Sequence, residues 1–197
     1  MIAAPSGTGK TSLVKALMLR KPTLKFSVSY TTRKPRPAEI DGQDYHFVSK
    51  ETFQAMIAAG EFLEHAQVFD NFYGTSVKAV TEALERGQDL LLEIDWQGAQ
   101  QVRQRLPECC SIFILPPSRA ALEQRLRARS TDADSVIERR LRDSVTELSH
   151  WNEFDHIVVN DRFEHALEVL GAIVAGRPAA SSPSAPEITA LTAALLA

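Results

Sequence analysis

Eight consecutive residues, Ala4-Pro5-Ser6-Gly7-Thr8-Gly9-Lys10-Thr11, have the types and order of a phosphate-binding loop. Gly7 and Gly9 let the backbone wrap so that successive N–H groups point at phosphate oxygens, Lys10 can neutralise the β- and γ-phosphates, and the Thr11 hydroxyl can hold Mg²⁺. Ala4 stands where the pattern G-x-x-x-x-G-K-[ST] has its first glycine, and a Gly-rich turn that merely caps a helix would also match in part. The Gly-Lys-Thr run directly before the amphipathic Leu13, Val14, Leu17 and Met18 favours a nucleotide site. Two further groups could act on such a ligand. Glu93 and Asp95 end an apolar run, as acids that hold a metal directly or through water tend to do in these sites. Arg33, Arg36, Tyr45 and Tyr73 offer two guanidinium forks and two phenol hydroxyls, a set suited to a dianionic monophosphate. On spacing alone, arginines in a proline-rich loop are more often just solvated.

The elements that must position these groups follow from the pattern. A helix is expected from about Lys10 to Leu19, its positive N-terminal end aimed at the loop. Lys25 to Tyr30 alternates as a strand, and Thr31 to Pro37 is a basic segment kept out of helix by its prolines. A short strand is expected at Tyr45–Val48, a helix from about Lys50 to Ala59, a strand at Phe62–Phe69, a loop at Asn71–Thr75 and a helix from about Ser76 to Glu85. Asp89–Asp95 and Ser111–Leu115 read as buried strands of a parallel sheet, with a helix from about Gln97 to Leu106 between them. Helices from Ser118 to about Arg127 and from Thr131 to about Trp151 precede a last strand, His156–Asn160. Asp161 and Glu164 resemble a capping box for a helix reaching about Ala175. Strands alternating with helices argue for an α/β fold, a parallel sheet flanked by helices, and the strand-rich stretch from about Ser29 to Phe72 for a smaller lobe.

Composition narrows the function. The chain has 197 residues, with 22 Lys and Arg against 25 Asp and Glu, and lacks the basic excess of a dedicated nucleic-acid binder. No leader-like segment opens it, and no stretch of about 18 apolar residues would cross a bilayer. The adjacent Cys109 and Cys110 suit neither a disulfide nor a metal spacing, and buried packing is expected of them. A reduced cytoplasmic protein is the default. From Arg177 onward Pro, Ala and Ser dominate, and 177–197 read as a flexible tail, its Ile188–Ala197 run a short apolar helix or a frayed end, of which the frayed end is expected. Only Met1-Ile2-Ala3 precede the loop, so either the first strand is very short and stability lower, or the true start lies upstream.

The ordered segments Ala4–Lys10, Ser27–Arg36 (Ser-Val-Ser-Tyr-Thr-Thr-Arg-Lys-Pro-Arg), Gly42–Phe47, Asn71–Thr75, Ile94–Gly98, Phe113–Ser118 and Val158–Asp161 resemble those of bacterial guanylate kinases across about Ile2 to Gly176. The resemblance implies a P-loop nucleoside monophosphate kinase fold covering residues 1–176, with a core, a small GMP-binding lobe at about 29–75 and a helical lid at about 119–150. It implies transfer of the ATP γ-phosphoryl group to GMP or dGMP with Mg²⁺, giving ADP and GDP. On this resemblance, Ala4, Pro5, Ser6, Gly7, Thr8, Gly9, Lys10 and Thr11 bind ATP, with Asn160 on the adenine side. Arg33, Arg36, Tyr45 and Tyr73 grip the GMP phosphate, and Ser29, Glu64, Thr75 and Asp95 read the guanine. Lys10, Arg33, Arg129 and Arg140 are the implied catalytic cations, and Thr11 the Mg²⁺ residue, with Glu93 acting through water.

The chemistry of Glu64 supports its part. Guanine presents two adjacent donors, N1–H and the 2-amino group, to which one carboxylate offers two acceptors. Several positions depart from the family pattern: Glu93 replaces a common Asp, Arg127-Ala128-Arg129-Ser130 replaces R-G-R-G, and the tail has no counterpart. Ala4 is tolerated in the family. Two other readings are a kinase on the same scaffold for another phosphorylated acceptor, such as a ribosyl bisphosphate, and a non-catalytic guanylate-kinase-like binding module. The guanine-reading set opposes the first, and Lys10, Thr11 and the lid arginines oppose the second.

Overall fold

A computed structural model describes residues 1–68, 70–128, 134–177 and 182–197, with the side chains of 134–136 excepted. Arg129 and Ser130, and the expected helix start at Thr131, lie outside the described residues. The chain divides into two compact units, one of Lys21–Cys109 with Met1, the other of Ile2–Arg20 with Cys110–Ala197.

The second unit is built on three parallel strands in the order β1 (Ile2–Ala3), β8 (Ile112–Leu115), β9 (His156–Val159), with Ile2 paired to Ile112 and Ile112 to His156. All four residues of β8 are buried, the all-apolar composition a parallel strand covered on both faces requires. Strand β1 has two residues. Around these strands lie α1 (Lys10–Arg20), α5 (Arg119–Ala128), α6 (Asp134–Leu148) and α7 (Phe163–Val174). Leu13, Val14 and Leu17 form the buried face of α1, which packs on α7.

Two expectations for this unit are corrected. Asp161 does not cap α7. Arg162 stands at the N-cap without a side-chain cap bond, and the Asp161 carboxylate accepts from the Arg162 N–H instead. The frayed end is in fact a helix, α8 (Pro186–Leu196), packed against α6. Pro186 suits the first helical turn, where its missing N–H is no loss, and Ile188, Thr192 and Leu195 recur at the spacing of one helical face and are buried.

The first unit carries a parallel pair, β2 (Lys25–Phe26) with β7 (Leu90–Leu91), and a four-stranded sheet in the order β4 (His46–Phe47), β3 (Tyr30–Thr31), β6 (Asn71–Ser76), β5 (Phe62–Val68). Three helices complete it, α2 (Lys50–Ala58), α3 (Val77–Glu85) and α4 (Trp96–Arg105). Phe53 of α2 is fully buried and stacks on Phe62 and Phe72, with ring centroids 4.5 and 5.5 Å away. Ser49 caps α2 as expected, and Gly60 takes the positive φ that ends it.

The expected loop at Asn71–Thr75 is strand β6, paired antiparallel to both β5 and β3. Its loop-like glycine has a packing reason, since a Cβ on Gly74 would come within 2.9 Å of the Phe62 ring. The strand expected over Lys25–Tyr30 is broken into β2 and β3, and that over Asp89–Asp95 contracts to β7. The cysteines are not core residues. They follow the turn at Pro107, where Cys109 is half-buried and Cys110 exposed.

Candidate active site

The expected acceptor residues all belong to the first unit. Glu64 and Thr75 are directly opposed in the β5–β6 pair, so their side chains share one face. The Thr75 hydroxyl donates to Glu64 Oε1 at 2.5 Å, and the carboxylate, only 3 % exposed, lies against Gly98. Gly98 must be a glycine for this approach, because a Cβ there would collide with Glu64 Oε2 and come within 3.0 Å of its Cδ. Asp95 caps α4, its Oδ1 accepting from the Gly98 N–H at 2.7 Å. Ser29, just before β3, is buried, and its carbonyl accepts from the His46 N–H. Glu64, Thr75, Asp95 and Gly98 therefore form one cluster at the start of α4.

Tyr73 lies two positions before Thr75 on β6, on the same face by the alternation of a strand, and Tyr45 packs edge-on against it at 6.0 Å. The Arg33 guanidinium lies 5.3 Å from the Tyr45 ring centre and 5.8 Å from that of Phe47. Burial works to lower the Arg33 pKa, but the Glu39 hydrogen bond and nearby Tyr73 more than offset it, so the net shift is upward. Tyr45 is pushed well above the ordinary phenol value, first by burial and then by the charge of Glu93. It is thus a neutral hydroxyl able to donate to an anion. Arg36 is the exposed member of the set, its Nη1 3.5 Å from Glu39.

The loop lies in the second unit. Gly7 and Gly9 have φ of 88° and 93°, the left-handed conformation that only glycine adopts without strain, and both turns are needed to bring the backbone around. Buried Thr8 closes the loop on itself, Oγ1 donating to the Pro5 carbonyl at 2.9 Å. Asn160, expected on the adenine side, is 5 % exposed, and its amide donates to the Thr8 carbonyl at 2.7 Å. Arg125 joins it, with Nη1 on the Thr8 carbonyl and Nη2 on the Asn160 carbonyl. The loop is thus held from behind by two side chains distant in sequence. Glu147 of α6 also accepts from the Ser6 N–H at 3.0 Å. Lys10 and Thr11 open α1, where the helix N-terminus favours an anion.

A guanylate kinase family model matches residues 1–176. The chain belongs to the guanylate kinase family. A guanylate kinase of Thiobacillus denitrificans is 56 % identical over 173 residues, covering 88 % of this chain and 83 % of its own. That of Methylococcus capsulatus is 54 % identical over 196 residues, covering 100 % and 96 %. The crystal structure of guanylate kinase from Anaplasma phagocytophilum superposes with a TM-score of 0.73 at 34 % identity, over 89 % of this chain and 82 % of that one. The family is that of nucleoside monophosphate kinases, and the activity is that of an ATP:GMP phosphotransferase. Neither the ribosyl bisphosphate kinase nor the non-catalytic module is favoured beside such relatives.

Within this family frame, some of the residues that shape the site went unnoticed in the sequence. Glu39 holds Arg33, and Gln101 of α4 holds β5. Its side chain accepts from the His65 N–H at 3.1 Å and donates to the His65 carbonyl at 2.8 Å, pairing the outer edge of β5 as a neighbouring strand would. Arg105 adds a bond to the Phe62 carbonyl at 2.7 Å. These flank Glu64 on both sides. A glutamine one helical turn after Gln97 carries no chemical signature, so only the packing of α4 on β5 reveals it. Arg140, an implied catalytic cation, is half-buried on α6.

Proposed function

We propose that GMP is held base-first by Glu64, with Ser29, Thr75 and Asp95 around it, and phosphate-first by Arg33, Arg36, Tyr45 and Tyr73. The observation that carries this reading is the buried Glu64 carboxylate fixed by Thr75. A carboxylate there meets both donors of guanine, whereas adenine would leave it unpaired, a mismatch that rejects the wrong base by orders of magnitude. ATP is held by residues 4–11, with Lys10 on its β- and γ-phosphates and Asn160 on the adenine side, its amide also holding the loop at Thr8.

Among the described residues, no group of three or more His, Cys, Asp or Glu could hold a metal. The hydroxyl of Thr11, in the first turn of α1, fits Mg²⁺ that arrives on the nucleotide, because this ion keeps several waters and binds largely through phosphates. Thr11 would hold it, with Glu93 acting through water, and the ion would neutralise charge on the β- and γ-phosphates.

An oxygen of the GMP phosphate forms the new bond to the γ-phosphorus, and the bond from that phosphorus to the bridging oxygen breaks, leaving ADP and GDP. The attacking oxygen is already anionic, so no general base is required. Lys10, Arg33, Arg140 and, outside the described residues, Arg129 supply alignment and positive charge to the transferring group. The 119–150 region acts as the lid and the 29–75 region as the acceptor lobe. We place the reaction in the cytoplasm with ATP and GMP or dGMP as its small-molecule substrates. Among the described residues no helix is long and apolar enough to cross a membrane.

A coupled assay of ADP release with GMP, dGMP, AMP and ribose bisphosphate tests the reading. GMP should be far ahead, and Glu64→Ala should raise the Kd for GMP while leaving that for ATP unchanged. Equal turnover of AMP, or equal loss of both nucleotides in the variant, would overturn it.

A further inference from the structure

Residues 33–39, Arg-Lys-Pro-Arg-Pro-Ala-Glu, begin with one phosphate donor of the proposed acceptor site and end with the acid that holds it. Glu39 is drawn back over the segment. Its N–H donates to the Arg36 carbonyl at 3.0 Å, and its Oε2 accepts from the Arg36 N–H at 2.8 Å. The same carboxylate takes Arg33 bidentately, Nη2 to Oε1 at 2.8 Å and Nη1 to Oε2 at 2.9 Å. Neither side chain is more than 16 % exposed, and Arg36 adds a second cation on Oε1 at 3.5 Å. A half-buried, two-pronged pair of this kind is far better fixed than a surface ion pair.

The orientation of the guanidinium decides what this pair does. Nη1 also donates to the Lys34 carbonyl at 2.8 Å, so both of its hydrogens are engaged, as is one hydrogen of Nη2. Of the five N–H groups of an arginine, those on Nε and the second on Nη2 face neither Glu39 nor Lys34, and the guanidinium also bonds the Tyr73 hydroxyl, itself a proposed phosphate donor. Those two N–H groups form the side-on edge of the fork, which also binds a phosphate bidentately. Tyr45 and Phe47 pack on one side of the guanidinium, their ring centres 5.3 and 5.8 Å from its carbon and 5.9 Å from each other. Carboxylate and incoming phosphate thus address different edges of one guanidinium, and Glu39 need not be displaced.

We propose that Glu39 is the positioning residue of the acceptor-phosphate site, locking Arg33 so that its side-on edge faces the phosphate of the acceptor nucleotide. The inference rests on the proposed acceptor site. Without the carboxylate, Arg33 is a long flexible cation in a proline-rich segment, and ordering it would oppose binding.

Calorimetric binding of GMP, guanosine and ATP to the full chain tests this, because guanosine keeps the base and ribose but lacks the phosphate. Glu39→Gln should raise the Kd for GMP about tenfold, the size of a lost hydrogen bond to a charged group, and leave guanosine and ATP unchanged. Glu39→Asp, which keeps the charge but is one methylene short, should recover part of the loss and serves as the second variant if the first folds poorly. In an Arg33→Met background, Glu39→Gln should have no further effect. Tighter GMP binding in Glu39→Gln would overturn the proposal, showing the carboxylate to be a rival of the phosphate. Equal weakening of GMP and guanosine would also overturn it, reducing Glu39 to a fold-holding residue. Failure of the wild-type chain to bind GMP would overturn the acceptor-site reading beneath it, a result distinct from either.

Discussion

At the scale of single residues, the acceptor site depends as much on an absent side chain as on those present. Gly98 lies in the first turn of α4, where alanine would favour the helix by about 1 kcal/mol. Gly98→Ala should nevertheless weaken GMP and guanosine alike by at least tenfold, a size on the order of one lost charged hydrogen bond, because the new methyl meets a carboxylate that Thr75 already fixes. Titration with both ligands, alongside a thermal melt that confirms the variant is folded, checks the expectation. Unchanged affinity would mean that Glu64 has room to retreat. Glu39 carries a separate, pH-linked signature. The Arg33 hydrogen bond lowers its pKa below the ordinary carboxyl value. The folded state therefore binds the proton less readily than the unfolded state. The stability from this group is complete above roughly pH 4.3 and is lost as the pH falls through the folded-state pKa. Denaturant melts across the acid range should show a shallower loss in Glu39→Gln than in the wild type.

At the scale of elements, the ends of the chain's patterns are where sequence and structure part. The order of strands and helices and the buried β8 follow from apolar runs and turn residues. Glu64 does not, since by pattern it is an outward residue of a strand. In β5, Phe62, Leu63 and Glu64 are all buried, because a register shift between Phe62 and Glu64 and the packing of α4 abolish the simple alternation. Its role was legible only through resemblance and the donor pattern of guanine. Strand β6 was obscured by Asn71 and Gly74, which mark loops in general but here serve a hairpin end and a ring contact. The tail was misread because Pro, Ala and Ser dominate it, while the three residues that matter, Ile188, Thr192 and Leu195, are spaced for one helical face. Leu195→Ala should lower stability by about 2–5 kcal/mol, the range for a buried leucine. Leu196→Ala, at a 37 % exposed neighbour, should lower the melting temperature far less. Identical melts for the two variants would mean that α8 is not docked in solution.

At the scale of the whole molecule, the two compact units divide the chemistry. Every described acceptor residue lies between Lys21 and Cys109, and the loop with its supports lies in the other unit. Lys10→Ala should therefore reduce kcat by a factor on the order of 10²–10³, as loss of a charge-stabilising donor does, with GMP affinity intact. Loss of GMP binding in that variant would show the two sites to be energetically one. The division also sets an order of assembly as the polypeptide leaves the ribosome. Apart from Met1, the acceptor unit is the stretch Lys21–Cys109, and its strands pair with one another, so it can fold as it emerges. The nucleotide loop is synthesised first and finished last. Ile2 must wait for Ile112, and the Thr8 carbonyl for Asn160, 152 residues downstream. A nascent chain stalled before Asn160 would accordingly hold GMP well before it could hold ATP, keeping phosphoryl transfer silent until synthesis is nearly complete.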